Sequence, residues 1–81
     1  MSVKESVFFE EKGRVVILGI KNISEEELRV INGFLEYMLT ILKRAGIVKW
    51  FSNRIDYFVV MPQSDWQPVE LILEIKQLLK V

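Results

Sequence analysis

The sequence predicts an α+β fold, a two-layer sandwich in which a four-stranded sheet carries two helices on one face. Three observations predict it. A long amphipathic stretch carries its own start and stop signals. Four short segments rich in β-branched and aromatic residues fall into two pairs, each joined by a turn. A second, shorter helical pattern follows them, led by a proline.

Val3 to Glu10 is expected as the first strand, with Val3, Glu5, Val7 and Phe9 on one face and Lys4, Ser6, Phe8 and Glu10 on the other. Charges along it suit a sheet edge. Glu11-Lys12-Gly13 then gives a tight hairpin connection, with Gly13 free to take a positive φ. Arg14 to Lys21 is the second strand. Its run Val15-Val16-Ile17-Leu18 is apolar on both faces, which predicts a central strand covered from both sides.

The organising element is Ser24 to Gly46. Ser24 and Glu27 have capping-box spacing, and Ile23 is placed to pack on Leu28. Glu25, Glu26 and Glu27 put negative charge at the positive end of the helix dipole. Lys43 and Arg44, then Gly46 and an apolar Ile47, mark the stop. Between the caps run two neighbouring apolar rows. Leu28, Ile31, Leu35, Met38, Leu42 and Ala45 make one; Val30, Phe34, Tyr37 and Ile41 make the other. Together they span an arc of roughly 200°, against about 100° for an ordinary surface helix. A helix of this kind needs cover on two sides. Its own sheet supplies one; another helix or another molecule must supply the second. Gly33, in the helix interior, costs about 1 kcal/mol relative to alanine, and its functional reading is close approach of another backbone.

Ile47 to Phe51 is the third strand, Ser52-Asn53 the turn, and Ile55 to Met61 the fourth strand, ended by Pro62. Tyr57-Phe58-Val59-Val60 is apolar on both faces, so this strand too is expected in the centre. Pro68 opens the last helix, to about Lys80, with Leu71, Ile72, Ile75, Leu78 and Leu79 on its buried face. The order is ββαββα. Placing the two apolar strands side by side in the middle gives sheet order 1-2-4-3, with the second and fourth strands expected parallel and joined through the long helix and third strand. This arrangement resembles a circularly permuted ferredoxin-like fold. With both helices on one face, the other face stays open, and alternation leaves it apolar as well.

Length and composition bound the rest. Eighty-one residues make one domain, 1–81, with a thin core. Cysteine and histidine are absent, which removes disulfides, thiolate chemistry, the commonest metal ligand and the usual general base. There is no phosphate-binding glycine loop, dinucleotide fingerprint or metal-ligand cluster in the sequence. The expectation is a non-enzymatic protein with no cofactor and no metal. Lys4 and Glu5 interrupt any leader-like apolar segment, and no apolar run approaches the ~20 residues of a bilayer span, so a cytoplasmic location is expected. Missing cysteine with abundant Val, Ile, Glu and Lys suits a hot-growing source. The overall profile also suits a small viral or mobile-element accessory protein.

Two functional classes follow. The leading one is an interaction protein that forms a homodimer through excess apolar surface: Val16, Leu18, Phe58 and Val60 on the open sheet face, and Val30, Phe34, Tyr37 and Ile41 on the helix. The other is nucleic-acid binding. Net charge is zero, yet residues 28–54 hold five basic groups and one acidic one. Within them Lys43, Arg44, Lys49 and Arg54 are placed to meet phosphates while Trp50 stacks on a base. Arg54 to Met61 also resembles the first RNA-binding motif of RNA-recognition domains at Arg54, Phe58 and Val59. It lacks that motif's glycines and final aromatic, and Val16 stands where the partner strand should supply a stacking ring. Asp56 is expected to form an ion pair with Lys49 or Arg54. Trp66, in its proline-flanked loop, is expected to fold back as a lid over the core.

Overall fold

The computed structural model describes residues 3–80, the first two of them by their backbone alone. In chain order the elements are α1 (Val3–Ser6), β1 (Val7–Lys12), β2 (Val15–Ile20), α2 (Glu25–Arg44), β3 (Val48–Asn53), β4 (Tyr57–Pro62) and α3 (Pro68–Leu79). The four strands form one sheet in the order β1-β2-β4-β3, every neighbouring pair antiparallel. After the single turn of α1 the order is ββαββα, the α+β arrangement expected, with α2 and α3 on one face.

The signals at the ends of α2 act as their chemistry dictates. The Ser24 hydroxyl accepts from the Glu27 N–H at 3.2 Å, and the Glu27 carboxylate accepts from the Ser24 N–H at 3.2 Å, so the capping box is closed. At the other end Gly46 adopts φ +80°, Ile47 N–H donates to the Leu42 carbonyl at 3.0 Å and Gly46 N–H to Lys43 at 3.1 Å. This pair of bonds is a Schellman stop, which only a residue tolerant of positive φ closes without strain. α3 starts as its proline requires, with Gln67 as N-cap, its N–H bonded to the Glu70 carboxylate at 2.8 Å, and Pro68 in the first turn.

Three expectations are corrected. Residues 3–6 form a helical turn rather than the start of β1. Pairing of β1 with β2 ends at Val7 opposite Ile20, because the chain bends away at Asn22 (φ 58°) and leaves no strand to pair with. Ser52 and Asn53 belong to β3, and the β3–β4 turn lies beyond them at residues 54–56, so β4 begins at Tyr57 rather than Ile55. Finally, β2 and β4 are antiparallel, not parallel. The crossover through α2 joins β2 to β3, two places away, and the hairpin then reverses the chain so that β4 slots between them. Antiparallel neighbours throughout are what the permuted ferredoxin-like connectivity requires.

The core lies between the sheet and the helices. Val16, Leu18 and Ile20 of β2, Phe58 and Val60 of β4, and Val7 of β1 face it from below. Ile31, Leu35, Met38, Leu39 and Leu42 of α2 and Leu71 and Ile75 of α3 face it from above. Phe51 and Phe58 meet with ring centroids 6.2 Å apart and planes tilted by 53°, within the range of favourable aromatic pairs.

Candidate interaction surface

The two apolar rows of α2 have different fates. Of the first, Ile31, Leu35, Met38 and Leu42 are buried in the core, joined by Leu39, which belongs to neither row, while Leu28 is half-buried and Ala45 exposed. The second is left outside: Val30 is 70% exposed, Phe34 48%, Tyr37 67% and Ile41 46%. Single exposed apolar residues are ordinary, but four large ones aligned along three turns of one helix are not. α2 lies over β3 and β2 while α3 lies over β1, β2 and β4, so neither covers this row of the other. Between them Phe34, Tyr37, Met38 and Ile41 meet Leu78 of α3 around a shallow apolar cleft of about 230 Å³. Leu78, expected on the buried face of α3, is half exposed and forms the far wall.

Gly33 also points away from the fold. A methyl group built on it would meet no atom within 4 Å. The flank of the row beside Tyr37 is therefore open to close approach.

The sheet residues expected on the open face are elsewhere. Val16, Leu18, Phe58 and Val60 are fully buried beneath the helices. Phe58 therefore has no exposed ring on which a base could stack. The open face carries the alternate residues instead: Phe8, Glu10 and Lys12 of β1, Val15, Ile17 and Gly19 of β2, and Tyr57, Val59 and Met61 of β4. Trp50, opposite Met61, continues it onto β3. Part of this face is a broad depression of about 420 Å³ between β1 and β4, bordered by Glu10, Lys12 and Asp56. Phe8 packs across Gly19 so closely that a Cβ there would collide with the ring, and Lys21 Nζ lies 5.6 Å from the ring centroid on the same aromatic.

The basic segment is divided by the fold. Lys43 and Arg44 end α2 and Arg54 follows the far end of β3, whose six residues span about 17 Å. Lys49 is the extra residue of a bulge between the Val48 and Trp50 pairings, and Trp50 lies on the open sheet face. Asp56 is exposed in the turn. Among the described residues the one ion pair is Lys12 with Glu10, at 3.7 Å, so the expected pairing of Asp56 with Lys49 or Arg54 does not form. Trp66 is half-buried, and its carbonyl, with that of Gln63, accepts from the Arg14 guanidinium at 3.2 Å.

One polar cluster escapes a reading of the sequence. Asn32 of α2 and Asn53 of β3 exchange hydrogen bonds through their side-chain amides, at 2.8 and 2.9 Å. Asn32 also donates to the Ile55 carbonyl at 2.6 Å. Asn53 donates to Glu36 at 3.1 Å and accepts from the Ile55 N–H at 2.9 Å. The cluster ties α2 to the β3–β4 turn. Ile55 is held at φ 76°, and the Asp56 N–H donates to the Arg54 carbonyl at 3.0 Å, a γ-turn of the strained positive-φ kind. Asn32 could have been noticed, since it stands four residues after Leu28 and seven before Leu39, inside the buried side of the helix. A polar side chain there demands a partner.

Among the described residues there is no group of three acidic, histidine or cysteine side chains arranged to hold a metal ion, and no helix long and apolar enough to cross a membrane. No protein family, no curated protein and no solved structure matches this chain.

Proposed function

We propose that this is a small, non-enzymatic, cytoplasmic interaction protein that self-associates as a homodimer through apolar surface its own fold leaves uncovered. The observation that carries this reading is the row Val30, Phe34, Tyr37 and Ile41 with Leu78 across the cleft. The absence of histidine and cysteine from the sequence supports the non-enzymatic part. Aromatic residues bury about 150–250 Å² each, so the exposed parts of Phe34 and Tyr37 offer on the order of 200 Å². Val30, Ile41 and Leu78 roughly double that. A stable interface buries about 800 Å² per partner, so these residues supply an apolar centre and the polar flanks of α2 the rim.

Size-exclusion chromatography with light scattering, over a range of concentrations, tests the reading. The expected mass is twice that of one chain. Phe34→Glu should give a folded monomer with an unchanged circular dichroism spectrum. Phe58→Glu should give no folded protein, because it puts a charge into the core. A monomer at every concentration, or a Phe34→Glu variant that dimerises as tightly as the unmodified chain, would overturn the proposal.

A further inference from the structure

The exposed row of α2 is symmetric about its own middle. The midpoint of Val30 and Ile41 coincides with that of Phe34 and Tyr37, between Leu35 and Glu36. An isologous two-fold contact asks for this property, because such an axis sets each residue opposite its mirror position on an antiparallel copy. The charges obey the same axis. Glu26 and Arg44 are eighteen residues apart, five full turns, so they lie on the same side of the helix, and their midpoint falls within half a residue of the row's. Both are exposed, and neither has an ion-pair partner within the chain among the described residues. Glu27, which is equally well placed along the axis, is already engaged in the capping box.

Resting on the self-association proposed above, we infer that the partner is a second copy whose α2 packs antiparallel on this one, with the two-fold axis passing between Phe34 and Tyr37 on the exposed side of the helix. Phe34 then meets Tyr37 of the second copy, Val30 meets its Ile41, and Glu26 meets its Arg44. Gly33, with open space where a Cβ would be, lies under the second copy's Tyr37. Antiparallel pairing also sets the positive end of each helix dipole beside the negative end of the other. Parallel pairing would set Glu25, Glu26 and Glu27 against themselves, and Lys43 and Arg44 likewise, so the charge pattern selects against it. The open sheet face remains on the outside of this dimer.

Because the chain contains no cysteine, introduced thiols report the geometry directly. Facing Cα atoms of packed helices come within about 4–6 Å, inside disulfide range. In the inferred dimer two Val30 positions are about 16 Å apart along the helices, as are two Ile41 positions. An oxidised mixture of Val30→Cys and Ile41→Cys should therefore cross-link between the two variants, and neither variant should cross-link alone. Self-cross-linking by each variant would establish a parallel pair and overturn the inference. No cross-link in protein that light scattering shows to be dimeric would place the interface elsewhere, overturning this geometry while leaving self-association intact. A monomeric unmodified chain would overturn both. Glu26→Lys and Arg44→Glu should each weaken dimerisation about three- to tenfold, and the double variant should restore it to within about twofold. Singles without effect, or a double variant as weak as the singles combined, would remove the Glu26–Arg44 contact.

Discussion

Replacing Asn53 by alanine tests whether the amide cluster fixes α2 to the β3–β4 hairpin. Asn53 makes four side-chain hydrogen bonds: two with Asn32, one to Glu36 and one from the Ile55 N–H. A hydrogen bond contributes about 0.5–1.5 kcal/mol net, and water reaches part of this site, so the low end of that range applies. The expected loss is about 2–3 kcal/mol. A chain of this length is stable by roughly 4–12 kcal/mol in total, so the change is large. With a urea dependence of about 1 kcal/mol per molar, the unfolding midpoint should fall by about 2–3 M. The assay is urea unfolding followed by circular dichroism at one fixed protein concentration, since self-association would itself add stability. Asn32→Ala and the double variant complete a cycle, and the two sites should couple by about 1 kcal/mol or more because each amide serves the other. An Asn53→Ala variant within about 0.5 kcal/mol of the parent, the range of an ordinary surface change, would refute the idea that the cluster fixes the hairpin.

Two further outcomes are expected. Ile55→Gly should raise the melting temperature by about 4–8 °C, because relief of about 1–3 kcal/mol of left-handed strain exceeds the ~0.5–1 kcal/mol that glycine loses to unfolded-chain entropy; a lower melting temperature would contradict the strained turn. Gly19→Ala should destabilise by about 1–3 kcal/mol, because its methyl group meets the Phe8 ring, and should become neutral or stabilising in a Phe8→Ala background; thermal melts of the four proteins read both signs.

How much was legible depends on whether a feature is local. The ends of α2 are written in side chains within a few residues of each other, so the capping box and the glycine stop could be read directly from Ser24, Glu27 and Gly46. Strand order followed from a composition that marks β2 and β4 as two-sided. The first turn, residues 3–6, was not legible, because its valine and alternation suit a strand and only the length of β2 denies it a partner. The turn at Ile55 was not legible either. A β-branched residue is a poor choice for positive φ, and what holds it there is Asn32, more than twenty residues away. Gly19 carried a signal that could have been used, since a glycine inside an apolar strand marks close approach by another group.

The side on which each sheet residue lies was also recoverable, by combining two facts that are weak separately. Alternation states that β2 has two apolar sets, Val16, Leu18, Ile20 and Val15, Ile17, but does not say which set the helices cover. The hairpin does. Lys12 opposite Val15 aligns Phe9 with Leu18 and Val7 with Ile20 on one face, and Glu10 with Ile17 and Phe8 with Gly19 on the other. Across the centre of the sheet, where β2 meets β4, the first face is wholly aliphatic and aromatic. The second contains Gly19 and the Tyr57 hydroxyl and runs out to the Glu10–Lys12 ion pair on β1. Helices seek the face with the least polar surface to desolvate, and at the centre of the sheet that is the face of Val16 and Leu18. Its polar members stand on the outer strands, where Glu11, opposite Val16, reaches water and Asn53, opposite Phe58, is paired with Asn32. The same reasoning separates the two surfaces left open. The sheet face is mixed, and Phe8 already fills the space over Gly19. The α2 row is apolar for its whole length, and its four side chains stay about half exposed or more. Of the two, the helix row has more to gain from a second copy.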